Sequence, residues 1–195
     1  MPKLSLKEIL IPTAALLAIC VVITGALAGV NAVTKEPIAQ NAQQEADAAK
    51  RELFPEAQEF VAAGDGIDMA VRSAEAALAV GYVVESQAQG YGGPIKIMVG
   101  ITSEGVVKQV VVLDASGETP GLGQNVKNDD FLHRFVGAAD FVTLGHGISD
   151  SLAGATGTAG KTVDAVASAT YSSQGVVNAV NEALERYQTM GREQP

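Results

Sequence analysis

Between Ile9 and Val33 the chain carries no charged residue. Wound as a helix, this stretch extends roughly 35 Å, enough to cross a hydrocarbon core of about 30 Å. It predicts one transmembrane helix. A cleaved secretory leader is the competing reading, because Lys3 and Lys7 make a basic start and Ala26-Leu27-Ala28 has a small-x-small pattern. The apolar run is long for the core of such a leader, which favours an anchor. Lys3 and Lys7 lie on the N-terminal side, whereas Lys35 on the far side is balanced by Glu36, Glu45 and Asp47. The positive-inside rule then puts the N-terminus in the cytoplasm and everything after Thr34 outside it. Cys20 sits inside the apolar run and follows Ile19, where lipoprotein processing would want a small residue, so it reads as a lipid-facing or packing residue.

Beyond the span, residues 34–55 form a segment rich in Ala, Gln and Glu, good helix formers that offer few core-quality side chains. They predict a helical stalk ending near Phe54-Pro55. Residues 56–195 are left for one globular domain, a normal size. Its core must come from Val, Ala, Leu and Ile, since the chain has no Trp and only 5% aromatic residues. A net charge of −9 repels phosphate backbones and excludes nucleic acid as a partner. With a single cysteine, the chain by itself builds no disulfide framework and no cysteine-ligated iron–sulfur cluster. Redox chemistry would therefore require an organic cofactor.

The domain reads as an α+β fold. Ile95–Ile101 and Val106–Leu113 are β-rich runs joined by a turn at Ser103-Glu104-Gly105, a hairpin signature. Further strands are expected around Val80–Glu85 and Phe141–Leu144. Val176, Val177, Val180, Leu184 and Tyr187 recur at helical spacing, predicting an amphipathic helix over about 172–189 that backs the sheet.

Just before that helix, Asp164-Ala165-Val166-Ala167-Ser168-Ala169-Thr170-Tyr171-Ser172-Ser173 gathers small residues and hydroxyls. Hydroxyls there can cap the helix. The same free N–H groups and positive helix end also favour a phosphate. Glu118-Thr119-Pro120-Gly121-Leu122-Gly123 reads locally as a turn. It lacks the third small residue and the βαβ setting of a dinucleotide loop, so Rossmann binding is rejected. His133 and His146 have no cysteine or paired carboxylate at metal spacing, so no metal site is expected. Lys161 reads as a loop lysine that could neutralise a cofactor's charge.

These segments, with Gly90-Tyr91-Gly92-Gly93-Pro94-Ile95, resemble the FMN-binding subunits of the Rnf and Nqr membrane complexes, the RnfG/NqrC family. The resemblance covers nearly the whole chain, and the short length suits the Rnf member better than its larger Nqr counterpart. In that family an Asp, a few small residues and Ala-Thr precede a helix, and the Thr carries FMN in phosphoester linkage. The match falls on Asp164, Ser168, Ala169 and Thr170. Ala167 stands where a hydroxyl is usual, and Ser168 where Gly is commoner. The resemblance implies that Thr170 is the covalent acceptor and that Ser168 and Ala169 border the phosphate. It implies that the loop from Glu118 through Gly123 borders the isoalloxazine ring, with Thr119 and the Leu122 backbone at its edge and Glu118 helping to position the loop. It further implies an electron-relay role in an ion-translocating ferredoxin:NAD oxidoreductase of the inner membrane. Other membrane subunits would be partners, and a flavin transferase would be needed for maturation. The chain shows no catalytic residues or stand-alone substrate site of its own. Two rivals remain: the equivalent Nqr subunit, and an anchored non-catalytic binding module in which the hydroxyls only cap. Asp150–Thr156 has the same outline as the acceptor motif, but Gly157-Thr158-Ala159-Gly160 follows it in place of a helix, so Thr156 ranks below Thr170.

Overall fold

The computed structural model describes residues 6–64, 66–72, 79–145 and 160–193. The chain divides into two compact units, 1–45 and 46–195. In the first, helix α1 (Leu6–Leu53) begins; it runs unbroken for 48 residues, about 72 Å at 1.5 Å per residue. Its apolar window is wholly unburied, and among the described helices it is the one long and apolar enough to cross a membrane. Leu16, Leu17, Val22 and Leu27 are each more than 60% exposed. Such side chains face a nonaqueous surrounding or carry a large hydration penalty. Pro12 and Pro37 lie inside the helix, each removing one i→i−4 hydrogen bond.

The second unit is built on a five-stranded antiparallel meander: β1 (Glu59–Gly64), β2 (Ile67–Val71), β3 (Ala79–Gln89), β4 (Pro94–Thr102) and β5 (Val107–Asp114), paired in chain order. The predicted hairpin is the β4–β5 pair, and its turn uses Gly105 at φ 82°, where a side chain would be strained. Strand β3 pairs with β4 from Gly81↔Thr102 to Gln89↔Pro94, leaving Gly90–Gly93 as the connecting turn. A short parallel pair, β6 (Val142–Gly145) and β7 (Lys161–Asp164), stands apart from the meander. Between β5 and β6 in sequence come a 3₁₀ turn at Gly123–Lys127, α2 (Asp129–Leu132) and a second 3₁₀ turn at His133–Phe135. Helix α3 (Thr170–Glu193) closes the described chain.

Period-two alternation gives the sheet two buried faces. Ile95, Ile97, Val99 and Ile101 of β4 join Val176, Val177, Val180 and Leu184 of α3 in the main core, which also takes in Phe131, Phe135, Leu144 and Val163. Val83 and Met98 point the other way, against Ala49, Leu53 and Phe54. The helical backing expected from α3 covers one face only; the last turns of α1 and Phe54 cover the second. Two polar clamps fix α3. Ser86 Oγ donates to the Ala179 carbonyl at 2.7 Å, and the Asn181 amide exchanges two 2.8 Å bonds with the Val142 backbone, as a neighbouring strand would.

Candidate functional site

The β3–β4 turn, one loop and one helix start converge at the same cavity. The Gly90–Gly93 turn closes with Gly90 N–H donating to the Gly93 carbonyl at 2.8 Å. A methyl group on Gly92 would lie 1.9 Å from the Gly117 carbonyl oxygen, so the two backbones touch and no side chain fits between them. After β5, the Ser116 N–H donates to the Asp114 carboxylate at 2.8 Å and holds that carboxyl below its ordinary range. The loop then turns on the Thr119 carbonyl, which accepts from both Leu122 N–H and Gln124 N–H at 3.2 Å. Gly121 takes φ 73° within that turn, which its lack of a Cβ permits.

At the start of α3, the Ala169 carbonyl accepts from Ser173 N–H at 2.9 Å, which makes Ala169 the cap position. Alanine offers no side-chain oxygen to the first-turn N–H groups. The expected capping hydroxyls are used elsewhere. Ser173 Oγ accepts from Val166 N–H at 3.0 Å, and Ser172 Oγ donates to the Glu118 carboxylate. The Thr170 hydroxyl has no hydrogen-bond partner among the described residues. Ser168 holds φ 59° and is the one non-glycine residue with positive φ among the described residues. This gives a physical reason for a glycine preference there. A left-handed residue other than glycine costs about 1–2 kcal/mol, part of which glycine forfeits through its freer unfolded chain. Ser168→Gly should therefore stabilise the domain by up to about 1 kcal/mol, read as a higher urea midpoint. A lower midpoint would contradict a strained Ser168.

These pieces enclose a cavity of about 310 Å³, at the lower end of the range for small-molecule sites. Thr119, Leu122, Gly123, Ser168, Ala169 and Thr170, all singled out in the sequence, line it together. Glu118 does not: it is 2% exposed and sits behind the wall. Asp164 is the last residue of β7, and its carbonyl accepts from Arg134 at 2.8 Å. Lys161 begins β7 rather than lying in a loop, and its ammonium is engaged by the Val136 carbonyl. The Leu122 backbone is also spent, its N–H on Thr119 and its carbonyl on Asn125 N–H. What Leu122 presents to the cavity is its side chain, 43% exposed. His133 is exposed in the second 3₁₀ turn. His146 and Thr156 lie outside the described residues.

Three lining residues carried no cofactor role from sequence: Tyr91, Tyr171 and Ser172. The tyrosines are 70% and 62% exposed, with ring centroids 6.3 Å apart and planes tilted by 53°. Their signal was positional, since one interrupts the glycine turn and the other follows Thr170. Among the described residues the lining has no charged side chain. The α3 N-terminus and hydroxyls are the lining groups suited to an anion, while Tyr91, Leu122 and Tyr171 offer apolar area to a planar ring. A hydroxyl and a helix start with no capping side chain among the described residues, together with aromatic walls, fit a phosphate-bearing flavin.

Two family models match the chain: RnfG N-terminal region over residues 1–53 and FMN-binding domain over residues 90–185. The G subunit of the proton-translocating ferredoxin:NAD(+) oxidoreductase complex of Clostridium ljungdahlii is 33% identical over 111 residues, covering 56% of this chain and 55% of that protein. The G subunit of the Na(+)-translocating ferredoxin:NAD(+) oxidoreductase complex of Acetobacterium woodii is 26% identical, covering 91% and 90%. The chain thus spans about half of the first relative and nearly all of the second. The crystal structure of Shewanella oneidensis NqrC superposes with a TM-score of 0.47 at 21% identity, over 70% of each chain. The chain is thus similar to the RnfG N-terminal region along its first helix and to the FMN-binding domain across the segment that holds the cavity.

Proposed function

We propose that this chain is the flavin-bearing RnfG subunit of an ion-translocating ferredoxin:NAD oxidoreductase, tethered by α1 to the inner membrane with its FMN-binding domain outside the cytoplasm. FMN is joined through its phosphate to Thr170. The observation that carries this is the Thr170 hydroxyl, unpartnered among the described residues, at an alanine-capped helix start inside the cavity. Charge supports an ester. A free phosphate monoester carries about −1.5 to −2 at neutral pH, whereas a diester carries one negative charge, better suited to a lining without a basic side chain. When bound, FMN supplies one- and two-electron transfer. The chain's own residues hold it: Ser168, Ala169 and Thr170 at the phosphate, and Thr119, Leu122 and Gly123 at the ring, with Tyr91 and Tyr171 alongside. The match to the RnfG N-terminal region favours Rnf over Nqr. Partners are the other membrane subunits of the complex, which supply the substrate sites, and a flavin transferase that makes the bond. In-gel flavin fluorescence under denaturing conditions, on full chain made in a host with such a transferase, tests the assignment. A dark band at normal expression would reject it.

The topology has its own test. The charge-free span and the Lys3–Lys7 leader favour residues 34–195 outside, so protease added to intact spheroplasts should digest the domain. Full protection until the membrane is breached would reverse the orientation.

Thr119 lines the cavity from an exposed turn. Thr119→Val keeps the shape and deletes a hydroxyl whose hydrogen bond is worth about 0.5–1.5 kcal/mol net. The flavin should stay attached while its midpoint potential or reduction rate changes modestly. Redox titration and reduction kinetics identical to wild type at equal occupancy would remove Thr119 from the cofactor site.

A further inference from the structure

Glu118 is a buried carboxyl group, 2% exposed, in a nest of glycines. Its Oε1 accepts from Gly92 N–H at 3.1 Å and its Oε2 from the Ser172 hydroxyl. A Cβ on Gly90 would come within 2.4 Å of Oε1, and one on Gly123 within 2.8 Å of both Oε2 and Ser172 Oγ. No basic side chain pairs with it among the described residues. A buried acidic side chain without a cation is costly to keep and packs no better than an apolar one. Its neighbours in sequence explain what it does. Gly92 adjoins Tyr91, Glu118 itself adjoins Thr119, and Ser172 both lines the cavity and adjoins Tyr171, so each bond ends on a cavity wall or one residue from it.

We propose that Glu118 is a positioning residue: its two oxygens lock the glycine turn, the Thr119 loop and the first turn of α3 into one frame, fixing the spacing between the flavin's tether and the walls that face its ring. This rests on the FMN reading of the cavity. A glutamine would preserve the frame, because its carbonyl accepts from Gly92 N–H and its amide donates to Ser172 Oγ. An alanine releases all three segments.

The test uses the full chain, produced with a flavin transferase and purified in detergent, as wild type, Glu118→Gln, Glu118→Ala and Ser172→Ala. Attachment rate is read by in-gel fluorescence, ring mobility by the flavin's fluorescence anisotropy decay, and folding by thermal circular dichroism. Glu118→Ala should slow attachment about tenfold, the size expected for a lost buried hydrogen-bonding group, and should enlarge the fast depolarising component. Glu118→Gln should restore both to about twofold of wild type. Ser172→Ala, which removes one leg, should fall between. Wild-type attachment and mobility in folded Glu118→Ala overturn the proposal, as does a Gln variant as impaired as Ala. Should Glu118→Ala lose its cooperative melt, Ser172→Ala decides, and a wild-type decay there overturns the positioning role. Wild-type chain that takes up no flavin sinks the FMN reading and this proposal together, whereas flavinylated wild type with indifferent variants sinks only the latter.

Discussion

Replacing Thr170 by alanine should abolish covalent flavin entirely while leaving the domain folded. The residue is half-buried at the first position of α3. Its hydroxyl has no hydrogen-bond partner among the described residues, so the substitution removes no hydrogen bond within them. Alanine also has the better helix propensity, and the change in stability should stay within about 0.5 kcal/mol. Against this, the proposed ester has no other hydroxyl in the same place among the described residues: Ser168 is turned into the left-handed region two residues earlier, and Ser172 is spent on Glu118. Denaturing-gel fluorescence should drop to background and the thermal midpoint should not move. Thr156→Ala should retain the flavin. Peptide mass mapping that puts FMN on Thr156, or on neither threonine, would overturn the assignment.

The parts of this fold that were legible in the sequence are those where one physical pattern acts alone. The apolar span, the β4–β5 hairpin and the amphipathic α3 each declare themselves through run length or period. Thr170 and the Thr119–Gly123 loop were found as motifs, but their meeting across one cavity depends on a β-meander that brings residues about 50 positions apart together. Nothing local encodes that. β1 has little local signal, because Glu59–Gly64 is Ala- and Gly-containing and poor in the branched residues that mark strands. β7 is only four residues long and pairs in parallel with a distant segment. The glycine nest failed in a different way. Gly123 reads as a turn former, yet its φ is not positive, nor are those of Gly92 and Gly117. They are glycine because backbone or the Glu118 carboxyl occupies the space a Cβ would take. A sequence shows that a glycine is present, not which of its two uses applies.

The second face of the sheet carries the other large expectation, a loss of about 3–5 kcal/mol on Phe54→Ala, the usual cost of deleting a fully buried aromatic ring. Composition makes residues 34–55 look like a stalk with little to bury. Yet Ala49, Leu53 and Phe54 are at most 4% exposed. The small alanines let the helix approach closely, and Leu53 and Phe54 then fill the gap at its end. Two glycines make the room for this ring. A Cβ on Gly81 would lie 2.5 Å from Phe54 Cζ, and one on Gly100 3.3 Å from Cε2. Because neither glycine can supply side-chain contacts to a shortened residue 54, the vacated space cannot refill locally. Lys108 adds to the loss: its ammonium lies 4.3 Å from the ring centroid and 2.7 Å from Glu56, whose carboxyl it holds below the ordinary range. With total stability typically about 5–15 kcal/mol, such a deletion should bring the domain close to unfolding, measured as the urea midpoint of the full chain in detergent. Phe54→Leu keeps most of the volume and should cost less. A drop under about 1 kcal/mol for Phe54→Ala would mean that the end of α1 is a linker resting on the sheet rather than part of its core.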